Sequence, residues 1–224
     1  MMIMDFFLDA DAPSIRALIL GTCRLENTLP ALEVEGKGKL IWHHTGFTHS
    51  IHDAVQTLAF LLGKKNIPEE VYPLIFGDGT VFLDNSQNSI KEGASLFPTV
   101  DILIIELSTK KRLHSKDFDF NQSRIEELVR LGGLDYLDWW SDVCRGKHPS
   151  KNQVKQLLQS SKNLKRFSTD FLHTLLTECK LTIKSEQEVI KAISELDEEL
   201  GRVNILVTTN PDPRNKNFAS SLPF

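Results

Sequence analysis

The sequence predicts an α/β fold: a three-layer sandwich with a mainly parallel sheet and a helical lobe. Three observations carry this. Ala17 to Leu20, Ile102 to Ile105 and Arg202 to Thr208 are short apolar runs of the kind that strands covered on both faces require. Stretches with apolar residues at helical spacing separate them, and strands alternating with helices imply crossover connections and a parallel sheet. From residue 122 to 200 the pattern is far richer in helix than in strand, which sets a lobe beside the sheet.

The first strand belongs to Arg16–Leu25, RALILGTCRL, where Gly21 stops the apolar run and Thr22, Cys23 and Arg24 follow. In an open α/β sheet the loop beyond a strand's carboxyl end borders the ligand crevice. A thiol there is a candidate nucleophile, although a cysteine after a buried strand is more often an inert small hydrophobe. Before this strand, residues 1 to 14 carry an apolar cluster suited to an edge segment. After it, Glu26 to Leu32 suggests a short helix interrupted by Pro30. Lys39 to His43 reads as a second short strand.

Thr48 to Leu62 is predicted helical. Ser50 and Asp53 form a capping pattern; Ile51, Val55, Leu58 and Leu62 share a face, and Gly63 is the stop. Asn66 to Pro98 is loop-rich, with a turn at Gly77-Asp78-Gly79 and a hairpin fragment at Thr80 to Leu83. Asp101 to Leu107 is the clearest strand. Leu113 to Asn121 reads as polar linker, Gln122 to Leu131 as helix, and Tyr136 to Cys144 contributes the pair Trp139-Trp140 as a plug over the core. From Asn152 to Leu200 the pattern is mostly helical, with Phe171, Leu172, Leu175, Leu176 and Cys179 on one face. A capping box at Ser185 and Glu188 opens the last stretch, and Val189, Ile193, Leu196 and Leu200 run to a stop at Gly201. The tail from Arg214 is polar and expected to be loose.

Composition narrows the function classes. The chain has 224 residues, 41% hydrophobic and 25% charged, as an ordinary soluble protein has. A formal charge of -4 argues against a general nucleic-acid binder, which shows a basic face. Clusters such as Lys110-Lys111-Arg112 usually form solvated faces. Cys23, Cys144 and Cys179 are too few and too scattered for a disulfide scaffold or a zinc motif. There is no signal-peptide pattern and no run of membrane-spanning length, so a cytoplasmic location is expected. A nucleotide site is disfavoured by the lack of a P-loop or GxGxxG. No cofactor or metal is called for.

Several motifs stand in a particular order. These are Gly21-Thr22-Cys23 after the first strand, Gly46-Phe47-Thr48-His49-Ser50-Ile51 before a helix, the apolar strand of Asp101 to Thr109, and Ile205 to Pro211 followed by Asn217 and Ser220. Together, over residues 16 to 221, they resemble the GSCFA family of the SGNH/GDSL-like hydrolase superfamily. The resemblance implies one SGNH hydrolase-like (flavodoxin-like) α/β domain over residues 1–224, ending short of that superfamily's C-terminal block. It also implies an acyl esterase or acyltransferase of glycan or surface-polymer metabolism. Cys23 would attack an ester carbonyl with Thr22 beside it, and Gly46 and Ser108 would donate hydrogen bonds to the oxyanion. The chemistry is sound in itself, since a thiolate is a strong nucleophile and fixed donors hold developing charge.

The superfamily's base is a histidine near the C-terminus, three residues after an aspartate, yet here no His follows His173. A base must then come from His43, His44, His49 or His52. His49 and His52 sit three apart at a helix start, with Asp53 as an accompanying acid or as a third group for a metal. His114, His148 and His173 look unremarkable. The missing block equally favours a catalytically inactive member that binds a small ligand or a partner protein in the same crevice.

Overall fold

The computed structural model describes residues 15–21, 40–76, 94–126, 136–148, 150–160, 169–201 and 203–209, with only the backbone of 40–47. The expectations for residues 1 to 14, Glu26 to Leu32, Gly77 to Leu83 and the tail lie outside these residues, as do Thr22 and Cys23.

Four strands form one parallel sheet: β1 (Ile15–Gly21), β2 (Leu40–Phe47), β3 (Ile102–Leu107) and, last in the chain, β6 (Asn204–Thr209), in the order β2-β1-β3-β6. The predicted α/β class with a mainly parallel sheet is what forms. Two neighbours of β1 lie on opposite sides of it, which puts the topological switch point of a flavodoxin-like winding between β1 and β3. Successive side chains alternate between faces. Leu18, Leu20, Leu103, Ile105 and Leu107 pack against α1 (Ile51–Leu61) and α6 (Glu186–Leu200). Ala17, Ile19 and Ile104 are buried on the other face. Burial on both faces explains why these strands read as unbroken apolar runs.

Both predicted capping boxes are present. In α1, Ser50 accepts from the Asp53 amide while the Asp53 carboxylate takes the Ser50 amide; Ser185 and Glu188 do the same for α6. The Asp53 carboxylate also accepts from the His49 amide at 3.2 Å, so the helix begins at Ile51, not at Thr48. Gly63 and Gly201 end the two helices with φ of 70° and 40°, values that L side chains resist.

One reading is corrected. Leu113 to Asn121 is not polar linker. Lys111–His114 is a strand, β4, paired antiparallel with β5 (Lys180–Ile183), with Leu113 opposite Leu181. Phe120 is buried, and its segment is clamped by Gln56, whose side chain donates to the Asp119 carbonyl at 2.7 Å and accepts from the Asp119 amide at 2.9 Å. The stretch from Asn152 is mostly helical, as expected, with one short strand inside it. It holds α4 (Lys151–Ser160) and α5 (Thr169–Thr177), then β5 breaks the run before α6. These strands are short and bear charges, and their pairing is long-range, so neither announces itself locally.

The β4–β5 sheet supports a second core. Leu113, Phe120 and Leu181 join Leu74 and Phe76, near the short helix α2 (Tyr72–Ile75), with Val143 of α3 (Tyr136–Cys144), Val154 of α4, and Leu176 of α5. The expected Trp plug is represented by Trp140, partly buried against this core. Phe60 touches both cores and packs its ring 5.4 Å from Tyr72 and 5.3 Å from Phe76.

Candidate functional site

Parallel strands end at the same edge, so Gly21, Phe47, Leu107 and Thr209 mark the carboxyl border of the sheet. At the switch point the loops after β2 and β3 are joined through one residue. The His49 carbonyl accepts from the Ser108 amide at 3.0 Å and the Thr109 amide at 3.1 Å. Thr48 in turn donates its amide to the Gly21 carbonyl at 3.2 Å, tying the end of β1 into the same knot. The Thr48 hydroxyl is buried there with no hydrogen-bond partner.

The His49 ring lies between two serine hydroxyls. Nδ1 is 3.2 Å from Ser108 Oγ, and Nε2 is 3.1 Å from Ser123 Oγ. Ser108 Oγ also donates to the His49 carbonyl at 3.3 Å. With its proton on that carbonyl, Nδ1–H donates to Oγ and the Nε2 lone pair faces Ser123. With its proton on Nδ1, both roles reverse. A turn of one hydroxyl thus selects the tautomer. Burial pushes His49 below the ordinary histidine pKa; Glu106 opposes this, Arg124 reinforces it, and Glu126 opposes it. The imidazole is neutral near pH 7, as a base must be.

The expected His49–His52–Asp53 grouping does not form. The Asp53 carboxylate is turned onto the backbone amides of His49 and Ser50. Burial, aided by the charge of Asp119, raises its pKa to about 7. His52 senses Arg112, Asp119, Lys184 and Glu188, a different set of charges from those around His49. Among the described residues, no group of three His, Cys, Asp or Glu side chains is arranged to hold a metal. His43 and His44 lie in β2 at the registers of Leu18 and Ile19.

Gly46 sits where the register slips: Ile19 pairs with His44 but Gly21 with Phe47, so β2 carries an extra residue in the Thr45–Gly46 step. Such irregularities re-aim the chain and often flank sites. Ser108 is exposed at the rim, yet both its amide and its hydroxyl are directed at His49, which leaves it a poor oxyanion donor. Of the described cysteines, Cys144 is exposed and Cys179 buried, and burial raises both thiols. Neither is an activated thiolate. Ser123 was not foreseen. It lies in the helical stretch 122–126, opened by Asn121, whose side chain accepts from the Arg124 amide. The sole sequence signal was that polar helix start.

An open parallel sheet wound outward from β1, with polar side chains gathered at its switch point, places the molecule among the doubly wound α/β proteins, whose ligands sit in that crevice as a class. More particularly, the chain belongs to the TviD N-terminal domain family, which it matches over residues 15–217. It is similar to the Vi polysaccharide biosynthesis protein TviD of Salmonella typhi, with 29% identity over 203 residues. That similarity covers 86% of this chain and 22% of the relative, so the chain spans about a fifth of that protein's length. The likeness to GSCFA-type proteins is carried by sequence motifs alone. No helix among the described residues is long and apolar enough to cross a membrane.

Proposed function

We propose that this protein acts in polysaccharide biosynthesis as an acyl-group enzyme, an esterase or acyltransferase working on a glycan, with Cys23 as nucleophile and His49 as its base. The observation that carries the reading is His49: a neutral imidazole at the switch point, braced by Ser108 on Nδ1, with Nε2 directed at a hydroxyl. In the sequence Cys23 follows Gly21, the last residue of β1, by two positions. The name of the relative, a polysaccharide biosynthesis protein, supports the glycan part, and the GSCFA resemblance supports the acyl part.

In the reaction, the Cys23 thiol gives its proton to His49 Nε2 as Sγ attacks the ester carbonyl carbon. Donors at the loop starts, with Gly46 the leading candidate, hold the oxyanion. Collapse breaks the bond to the alcohol oxygen, which takes the proton back from the imidazolium, and a thioester is left on Cys23. An acceptor hydroxyl then gives its proton to His49 and attacks the thioester; the C–S bond breaks, and Sγ takes the proton back from the imidazolium. Water as acceptor completes hydrolysis; a sugar hydroxyl completes transfer. Ser108 acts by positioning the ring.

A second reading exchanges the nucleophile, because Ser123 Oγ is within hydrogen-bond reach of Nε2. The test is p-nitrophenyl acetate turnover, with the acetyl adduct mapped by mass spectrometry, in wild type, Cys23→Ala, Ser123→Ala and His49→Ala. An adduct on Cys23 that vanishes in Cys23→Ala and slows in His49→Ala is expected. An adduct on Ser123 would transfer the role to that hydroxyl. Neither turnover nor adduct in the wild type would sink the enzymatic reading in favour of a ligand-binding member.

A further inference from the structure

A second polar cleft opens on the β4–β5 sheet, and its residues have no part in the chemistry above. It has a volume of about 410 Å³, within the range of small-molecule sites. Arg112 and His114 line it from β4, Ser115 and Lys116 from the turn that follows, and Lys180 from β5. His148 and Glu178 complete the wall. The antiparallel register sets His114 directly opposite Lys180, which is why residues so distant in sequence share one surface.

Two features separate this cleft from an ordinary charged surface. The first is the state of its cations. Arg112 is fixed by two hydrogen bonds to Asp119, Nε to Oδ1 at 2.5 Å and Nη2 to Oδ2 at 3.2 Å. Lys116 and Lys180 have no ion-pair partner among the described residues, and Glu178 is the one acid in the wall. The second is Ser115. Its residue is 4% exposed and its hydroxyl has no hydrogen-bond partner. A buried hydroxyl is rarely left unpaired without cause. His114 Nδ1 lies 3.0 Å from the Ser115 carbonyl and donates to it, leaving Nε2 to accept.

We propose that this cleft is a binding site for a small anionic molecule that presents a carboxylate or a phosphate together with hydroxyl groups. Lys116, Lys180 and the outer edge of the Arg112 guanidinium take the anion, as charge-assisted hydrogen bonds favour. His114 Nε2 takes a hydroxyl. The argument is independent of Cys23 and His49. Histidines 114 and 148, featureless in the sequence, become walls of a site.

The test titrates the labelled protein with glucuronate, glucose 6-phosphate and neutral glucose, following the His114, Ser115 and His148 resonances, with affinity from calorimetry. At least one anion should shift these resonances saturably, and glucose at the same concentration should not. Response to glucuronate alone assigns a carboxylate ligand, and response to glucose 6-phosphate alone a phosphorylated one. Lys180→Ala should weaken binding on the order of ten-fold or more with unchanged melting temperature. Glu178→Gln should tighten it, and added salt should weaken it. The proposal is overturned if neither anion moves these resonances, if glucose moves them equally, or if Lys180→Ala binds as wild type does.

Discussion

Ser108 holds His49 through both its amide and its hydroxyl: the amide donates to the His49 carbonyl at 3.0 Å, and Ser108 Oγ lies 3.2 Å from the His49 ring at Nδ1 and 3.3 Å from the carbonyl. The first contact fixes the backbone of the residue and the second fixes its side chain. Orientation of this kind is what a third group supplies to a nucleophile–base pair. In the proposed mechanism a serine would do the work usually assigned to an acid.

Ser108→Ala separates these two contacts, because the alanine keeps the amide. Stability should fall by only about 1 kcal/mol, the net worth of a neutral hydrogen bond. Turnover of p-nitrophenyl acetate should fall by roughly ten-fold in kcat with little change in KM, since the ring loses its brace and its tautomer control. A variant as active as wild type would show that the hydroxyl is incidental.

With His49 as the base, its depressed pKa would set the acid limb of activity. The ring is neutral at pH 7 and becomes protonated only below the ordinary histidine range near 6.5. kcat/KM should therefore hold level on descending from pH 7 to about 6.5 and decline below that. His49→Gln should remove this limb along with most of the rate. A limb centred above 6.5 in wild type would assign the titration to another group.

Asp53 makes stability depend on pH in the direction opposite to most carboxylates. Its folded pKa, about 7, lies above the ordinary 3.8, so the native state binds the extra proton between these values. Its contribution is complete below pH 4 and is lost as pH rises through 7. Asp53→Asn keeps an acceptor for the cap and carries no charge. Chemical denaturation at pH 5 and pH 8 should show the variant gaining on wild type at the higher pH, by a few kcal/mol at most. A difference independent of pH would contradict the raised pKa.

Gln56 is 3% exposed, and its amide completes the backbone pairing of Asp119. Gln56→Leu keeps the bulk but strands one buried N–H and one buried C=O. Unfolding free energy in urea should drop by about 2–4 kcal/mol, as two unsatisfied groups demand. A shift below about 1 kcal/mol would mean that other partners replace the glutamine.

The parts of the molecule that were legible are those written locally. Ile102 to Ile105 announced a strand buried on both faces, and Ser50 with Asp53 announced a helix start, because each signal needs only neighbours in sequence. The second sheet was not legible. Lys-Arg-Leu-His at β4 is half charged, and its partner Lys-Leu-Thr-Ile lies on the far side of α3, α4 and α5. The polar reading of 113 to 121 failed because Leu113 and Phe120 are isolated apolar residues whose burial depends on that pairing. In the site, His49 was legible as a histidine at a helix start following a glycine. Ser123 was not, since 74 residues separate it from the ring it faces.

The knot at the His49 carbonyl also has a mechanical meaning. Amides in loops at a sheet edge ordinarily exchange with solvent deuterium quickly, since loops open at little cost. The Ser108 and Thr109 amides are loop amides, but both close on one carbonyl that is itself anchored to a capped helix through the His49 amide and Asp53. Their exchange should keep pace with the strands behind them. The rim of this crevice is therefore built as a fixed jaw, and a ligand entering it would meet that side already set.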